Sequence, residues 1–406
     1  MSVARLIFIE SNTSGTGRLF ARAAASQGFV PVLLASNPAK YAYATEDGLD
    51  VVNVDTQRGD AVLEACRRIA AESELAGVTS SSEYFIELAA TIARELRLPG
   101  PSPLAINQCR DKHRQRICLQ QAGIGVPAFR SANSMEEAVA AANEIGLPVV
   151  VKPVSGSGSI GVKFCDDIRQ AAAHADELLA QRENERGAPV PGYVLVEEVA
   201  IGAEYSVESF DGEIIGITRK HLGSLPYFVE TGHDYPAVLS NEEESTIRAA
   251  VGASLKALGL TWGPTHCELR LTSSGPKIIE VNPRLAGGYI PELVRLAQGV
   301  DLIAETIRAV SGMQARLQKR ARRYASLRFI LPGGEGKLAA VEGLEEARSI
   351  SGIESAAIYA RPGDHVQVRG DFRDRLGHVI AVTDNASDSG KAAELARDKI
   401  RLLLEP

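Results

Sequence analysis

His266-Cys-Glu-Leu-Arg-Leu271 and Ile278-Ile-Glu-Val-Asn-Pro-Arg284 flank Ser273-Ser-Gly275, a turn signal between two strand-like runs. Strand alternation puts His266, Glu268 and Arg270 on one face of the first run and Cys267, Leu269 and Leu271 on the other. In the second run Glu280 and Asn282 share a face, while Ile279 and Val281 point away. Pairing the two runs converges Glu268, Glu280 and Asn282, which supply oxygen donors and two negative charges. Carboxylates held that close repel unless a cation joins them. Hard oxygen donors beside phosphate suit Mg²⁺. The bland alternative is a solvated ladder, but Glu280 interrupts an otherwise apolar strand.

Upstream, Val149-Val-Val-Lys-Pro-Val-Ser-Gly-Ser-Gly-Ser-Ile-Gly161 sets Lys152 at the end of an apolar strand, followed by a Ser/Gly loop. Glycines let the backbone approach phosphate oxygens, the serines add donors, and the lysine presents a cation. The order differs from Walker A, whose lysine follows its glycines; a flexible hairpin is the structural alternative. In Tyr193-Val-Leu-Val-Glu-Glu-Val-Ala-Ile-Gly-Ala-Glu204 an apolar strand ends in Glu197-Glu198, a pair that taken alone reads as solvent-facing charge. Glu10-Ser-Asn-Thr-Ser-Gly-Thr-Gly17 follows the first strand and tempts one toward a dinucleotide fingerprint. The third glycine would fall on Phe20, and no acidic residue ends the second strand. A tight turn, or a loop for a substrate anion at a helix N-terminus, are the readings left.

The 406 residues are 45% hydrophobic and 23% charged, ordinary globular composition for two or three domains. Lys plus Arg number 44 against 51 Asp plus Glu, a formal charge of −7, which argues against a nucleic-acid binder. The five cysteines form no CxxC pair, so neither a disulfide framework nor a zinc module is expected. Without a signal-peptide core or a membrane-length apolar run, a cytoplasmic protein is the expectation. Strand-like and helix-like segments alternate over the first hundred residues, which predicts a parallel α/β unit. Leu98-Pro-Gly-Pro-Ser-Pro103 punctuates it. From Pro127 hairpin-like strands predict an α+β domain. The basic run Lys319-Arg-Ala-Arg-Arg323, read as a solvated linker, precedes a smaller third region. The expected domains are 1–106, 107–318 and 319–406.

Taken together, the motif order resembles the ATP-grasp superfamily of carboxylate–amine ligases. Asp111-Lys112 comes first, then Lys152 with its Gly/Ser loop, Glu197-Glu198, Glu204, Glu268, and finally Glu280-Val-Asn282-Pro-Arg284. Within it, Tyr227-Phe-Val-Glu-Thr-Gly-His-Asp-Tyr-Pro236 and Arg284-Leu-Ala-Gly-Gly-Tyr-Ile-Pro291 resemble the L-amino acid ligases that make dipeptides. Pro332-Gly-Gly, Arg361-Pro-Gly-Asp and Gly377-His-Val-Ile-Ala381 look like that group's small final domain. The resemblance implies an ATP-grasp fold: an N-terminal parallel α/β domain, a central ATP-grasp domain and a small C-terminal α+β domain.

It also implies roles. Lys112 and Lys152 would contact the α- and β-phosphates, with Ser155, Gly156, Ser157, Gly158 and Ser159 closing over the β/γ end. Glu197 would take the adenine amino group next to Glu198, the Val199 backbone the ring edge, and Glu204 the ribose hydroxyls. Glu268, Glu280 and Asn282 would hold Mg²⁺, with Mn²⁺ as a substitute. Arg284 and the backbone of Gly287 and Gly288 would steady the acyl phosphate and the tetrahedral oxyanion, and Lys152 the phosphoryl group. Glu83 would face the amino-acid substrate, and His233 would sit on a substrate-side loop.

The expected activity is ATP-dependent joining of a carboxylate, an amino acid, to the amine of a second amino acid through an acyl phosphate, with ADP and phosphate released. Its partners are small molecules, not nucleic acid or membrane, and a homodimer is the default assembly. The alternatives are a purine-pathway or carboxylase-type ATP-grasp enzyme acting on a phosphoribosyl amine or bicarbonate, an NAD-dependent oxidoreductase, and a silent nucleotide-binding module.

Overall fold

The computed structural model describes residues 3–405 apart from 14, 185, 186 and 188. It begins with β1 (Arg5–Ile9), α1 (Thr16–Ser26), β2 (Val30–Ala35), α2 (Ala42–Glu46), β3 (Asp50–Asn53), α3 (Gly59–Glu72), β4 (Leu75–Thr79) and α4 (Ile86–Glu95). The four strands form one parallel sheet in the order β3-β2-β1-β4. Leu6–Ile9 and Val32–Ala35 are buried, which is why these strands read as unbroken apolar runs. The chain winds from β1 through β2 to β3 on one side, then crosses to β4 on the other. β1 and β4 therefore part at a topological switch point, where ligands bind in open α/β sheets.

The loops leaving β1 and β4 are stapled there. Ser11 Oγ lies 2.5 Å from Ser81 Oγ, and the Asn12 N–H donates to Ser81 Oγ at 3.0 Å. A Cβ on Gly17 would fall 2.1 Å from the Asn12 carbonyl oxygen, so the start of α1 packs against the chain leaving β1 too closely for a side chain there. Phe20, where a dinucleotide fingerprint requires glycine, is buried.

Two short helices follow, α5 (Pro103–Arg110) and α6 (Lys112–Gln121). Asp111 caps α6 by accepting from the Arg114 N–H, which fixes Lys112 at the first helical position. Next come β5 (Phe129–Ala132), α7 (Met135–Ile145), β6 (Val149–Pro153), β7 (Lys163–Cys165), α8 (Ile168–Ala180) and β8 (Val194–Glu198). The strands form an antiparallel sheet in the order β5-β8-β6-β7. Val149, Val151, Val194 and Val196 pack against alanines of α7 and α8. The two-residue period then turns Lys152 and Glu197 to the opposite face.

The rest is built on β9 (Gly202–Phe210), β10 (Glu213–Leu222), β11 (Glu230–Tyr235), α9 (Asn241–Ala257), β12 (Pro264–Thr272), β13 (Gly275–Asn282), α10 (Ile290–Gln298) and α11 (Leu302–Val310). It continues through β14 (Tyr324–Ile330), β15 (Gly336–Glu342), α12 (Leu344–Ser349), β16 (Ile353–Ile358), β17 (His365–Val366), β18 (Gly377–Thr383), α13 (Ala386–Lys399) and β19 (Arg401–Glu405). One eight-stranded sheet runs β13-β12-β9-β10-β11-β14-β18-β16, and β17-β15-β19 form a small sheet beside it. The large sheet crosses the 318/319 boundary, because β11 pairs antiparallel with β14. Cys267, Leu269, Ile278 and Val281 pack with Ile247, Val251 and Leu255 of α9. The basic run 319–323 belongs to an extended, largely exposed segment between α11 and β14. Among the described residues no helix is long and apolar enough to cross a membrane.

One expectation is corrected. His233 does not sit on a loop: it lies within β11, fully buried. The stretch Glu-Thr-Gly-His-Asp-Tyr lacks apolar alternation because this part of the sheet turns a polar face to the site.

Candidate active site

Two cavities meet at the junction of the three regions. The larger, about 300 Å³, lies over the β1/β4 switch point and is lined by Asn12, Thr16, Ser80–Tyr84, Trp262, Arg284–Gly288, Phe372 and Arg375. The smaller, about 130 Å³, lies between the two antiparallel sheets and is lined by Lys112, Lys152, Ser155–Ser159, Glu197–Ala200, Glu204, Glu280 and Asn282. Glu230, Glu268, Arg284, Ser157 and Gly158 line both. The two cavities therefore share a wall.

The hairpin register brings the oxygen donors together. β12 and β13 pair Glu268 with Glu280 and His266 with Asn282, with an irregularity just past Glu268. Each carboxylate already faces a cation. Lys112 Nζ is 2.9 Å from Glu280, and Lys220 Nζ is 2.7 Å from Glu268. His266 bridges Glu208 at 2.9 Å and Glu268 at 3.0 Å. Burial disfavours its charge, but the two carboxylates win and raise its pKa to about 9, so the imidazolium orients Glu268. Among the described residues no three His, Cys, Asp or Glu side chains form a metal cluster. Mg²⁺ does not require one, since it commonly takes one or two carboxylates and fills its octahedron with phosphate oxygens and water. Glu268, Glu280 and Asn282 fit that donor set.

The smaller cavity is backed by a buried charge cluster. Arg116 and Lys152 both pair with Glu197, Arg116 at 2.7 Å. All three side chains are essentially inaccessible to water. Burial opposes the charge on Glu197, yet Arg116 and Lys152 hold its pKa below the ordinary carboxylate range. Burial lowers that of Lys152, and Glu197 only partly offsets the effect. Two cations share one carboxylate, and among the described residues the buried Arg116 Nη1 has no partner. Of these two cations Lys152 lines the cavity, where it can meet a bound anion.

The Ser155–Gly161 loop is tied at several points. The Gly156 carbonyl accepts from Lys112 Nζ at 2.8 Å, and the Gly158 carbonyl from the Phe372 N–H at 3.2 Å. Ser159 Oγ donates to the Phe228 carbonyl at 3.1 Å, and the Gly161 carbonyl lies 2.9 Å from His174 Nε2. Gly156, Gly158 and Gly161 all take positive φ, as does Ser159.

Glu83, on the loop after β4, accepts from Arg110 at 3.0 Å and from Arg284 Nε at 2.9 Å. Burial alone would raise its pKa, but Arg284, Arg110 and Lys112 bring it down to about 2. Arg284 is thereby locked, its remaining Nη1 donating to the Leu285 carbonyl at 2.9 Å. His233 Nδ1 donates to the Gly288 carbonyl at 2.9 Å, and its Nε2 lies 3.0 Å from Glu230. It does not line the larger cavity; it holds the glycine loop that does. Glu198 lines the smaller cavity, yet its carboxylate pairs with Lys277 at 2.7 Å and the Ala128 N–H at 3.0 Å. Glu204 pairs with Lys220 at 3.2 Å and Arg270 at 3.0 Å.

The sequence reading passed over Arg116, Lys220, Glu230 and Arg375. Lys220 alone meets Glu204, Glu230 and Glu268, and those carboxylates raise its pKa well above normal against the cost of burial. Its signal was available: β10 runs antiparallel to β9, which places Lys220 opposite Glu204.

The fold and this site define an ATP-grasp enzyme. Residues 145–292 match the ATP-grasp domain family, and residues 328–405 match L-amino acid ligase C-terminal domain 2. The chain belongs to the ATP-grasp superfamily of carboxylate–amine ligases, in the L-amino acid ligase group. It is 40% identical over 401 residues to the uncharacterized protein y4rH of Sinorhizobium fredii, covering 99% of this chain and 83% of that one. Carnosine synthase 1 of Homo sapiens is 29% identical over 269 residues, covering 61% of this chain but only 32% of the enzyme's own length. The crystal structure of L-amino acid ligase from Bacillus licheniformis shares the fold, with TM-score 0.82 and 21% identity over 100% of both chains. The enzyme is an ATP-dependent ligase joining a carboxylate to an amine.

Proposed function

We propose that the enzyme joins the carboxylate of one amino acid to the amine of another through an acyl phosphate, releasing ADP and phosphate. The observation that carries this reading is the meeting of the two cavities at Glu230, Glu268 and Arg284. In the first step a carboxylate oxygen attacks the γ-phosphorus, an O–P bond forms, and the bond to ADP breaks. In the second step the amine attacks the acyl carbon, a C–N bond forms, a proton leaves nitrogen, and the C–O bond to phosphate breaks.

Lys112 and Lys152 are assigned to the phosphates, with the Ser155–Ser159 loop closing over them. Lys112 bridges Glu280 and the loop carbonyl of Gly156 in the free protein, so arriving phosphate competes for a cation already at the site. Glu197, Val199 and Glu204 are assigned to the nucleoside, Glu197 also keeping Lys152 in place. Glu268, Glu280 and Asn282 would hold Mg²⁺, which offsets the charge gathering on the transferred phosphoryl group. Arg284, fixed by Glu83, and the Gly287–Gly288 backbone are aimed at the acyl oxygen. Water exclusion by the glycine-rich lid protects the acyl phosphate from hydrolysis.

The larger cavity supports zwitterionic amino acids over a phosphoribosyl amine. Glu83, Glu230 and Glu268 line it against two arginines, a poor setting for a dianionic phosphate. The test is a phosphate-release screen over pairs of amino acids with ATP and Mg²⁺, the nucleotide product resolved by chromatography. ADP with an amide is the expected outcome; AMP and pyrophosphate would exclude phosphoryl transfer to the carboxylate.

A further inference from the structure

The amine substrate, if an amino acid, brings a second carboxylate that the reaction never consumes. Within the larger cavity it meets Glu83, Glu230 and Glu268, and without a cation it is repelled. The lining offers two arginines. Arg284 is held in place, with Nε and Nη2 on Glu83 and Nη1 on the Leu285 carbonyl, and its remaining N–H groups are those assigned above to the acyl oxygen. Arg375 is not so committed. Its Nη2 donates to Glu230 at 2.7 Å, and among the described residues neither Nη1 nor the buried Nε has an acceptor. Its guanidinium lies 4.3 Å over the Phe329 ring, which fixes the plane of the fork. Nη1 approaches the glycine loop, at 3.4 Å from where a Cβ on Gly288 would stand.

Its place in the chain is also informative. Arg375 ends a single 3₁₀ turn, Phe372–Asp374, whose first N–H holds the Gly158 carbonyl of the lid. The same turn thus touches the lid over one cavity and delivers a cation to the other.

We propose that Arg375, supplied by the C-terminal region, binds the carboxylate of the incoming amino acid and so selects α-amino acids as amine substrates. This rests on the ligase reading above. Removing Arg375 does not strand Glu230, which keeps Lys220 at 2.5 Å and His233 at 3.0 Å.

The test compares standard L-amino acids with their carboxamides as amine substrates, in wild type, Arg375→Gln and Arg375→Lys. ADP and amide are quantified to give kcat and KM for each amine at saturating ATP, Mg²⁺ and acid substrate. Wild type should prefer the free acid over the amide by about 30-fold or more in kcat/KM, mainly through KM, the scale for truncating a desolvated charge partner. Arg375→Gln should bring that ratio close to one. Arg375→Lys, which keeps the charge and loses the planar fork, should keep part of it, so the ratio is readable even if the glutamine variant does not fold. A wild-type ratio near one, or a ratio unchanged in the variants, overturns the assignment while leaving the ligase intact. An equal slowing with both amine classes also overturns it and points to the phosphoryl group. If wild type joins none of these amines, the ligase reading and this proposal fail together.

Discussion

Glu280 sits opposite Glu268 in the ladder and is held by Lys112 at 2.9 Å. In the metal-holding role proposed for it, Glu280 would matter to phosphoryl transfer more than to nucleotide affinity. Glu280→Gln should lower kcat by at least about 10²-fold, since even the outer partners of metal ligands act on a scale of 10–100-fold. ATP affinity by calorimetry should change far less; near-normal turnover at saturating Mg²⁺ would remove Glu280 from the metal site. Glu83 gives a pH signature. Its pKa falls from an ordinary 4.5 to about 2, so the Arg110–Glu83–Arg284 clasp contributes its full stability above pH 4.5 and loses it as pH drops through about 2. Glu83→Gln breaks a buried ion pair, at a cost of about 3–5 kcal/mol. The Tm gap between wild type and variant should be full at neutral pH and narrow steadily below pH 4.5. A gap that is flat down to acid unfolding would show that Glu83 is not held by these arginines.

At the scale of elements, the lid and the 3₁₀ turn form one contact. Gly158 has φ 69°, and a Cβ there would fall 2.5 Å from the Phe372 ring. Gly158→Ala therefore carries a left-handed penalty of about 1–2 kcal/mol together with a clash. The KM for ATP should rise by about tenfold or more, and Gly158→Ala with Phe372→Ala should recover only the steric part. Steady-state kinetics of the four-member cycle measure it; full recovery would mean that backbone strain contributes nothing. The same element explains what a sequence can and cannot tell. The β12–β13 hairpin was legible in register, because alternation and a turn signal are local and Glu280 stands out in an apolar run. β11 was not, because its polar face is set by neighbours on β10 and β14 that lie elsewhere in the chain. Arg116 and Arg375 escaped for a similar reason: each is one arginine among many until the fold turns it toward Glu197 or Glu230.

For the whole molecule, the eight-stranded sheet carries Glu268, Glu280 and Asn282 at one end and strands of the C-terminal region at the other. β14 lies between β11 and β18, and buried Ala325, Leu327 and Phe329 join the main core. A chain ending at residue 318 would leave β11 as an unpaired edge beside an exposed apolar face. It should aggregate or remain unfolded, as read by size-exclusion chromatography and circular dichroism; a monodisperse folded product would show that the C-terminal region is dispensable for folding. The β11–β14 pairing bears equally on building hybrids between relatives. Its ladder sets Gly232 against Arg328 and His233 against Leu327, and a Cβ on Gly232 would fall 2.5 Å from the Leu327 carbonyl oxygen. The joint between donor and recipient pieces is thus a strand register, not a tether. A graft cut at the exposed 319–323 segment transplants β14 without its partner, so compatibility between parents is decided at Gly232 and Arg328 before any substrate is met.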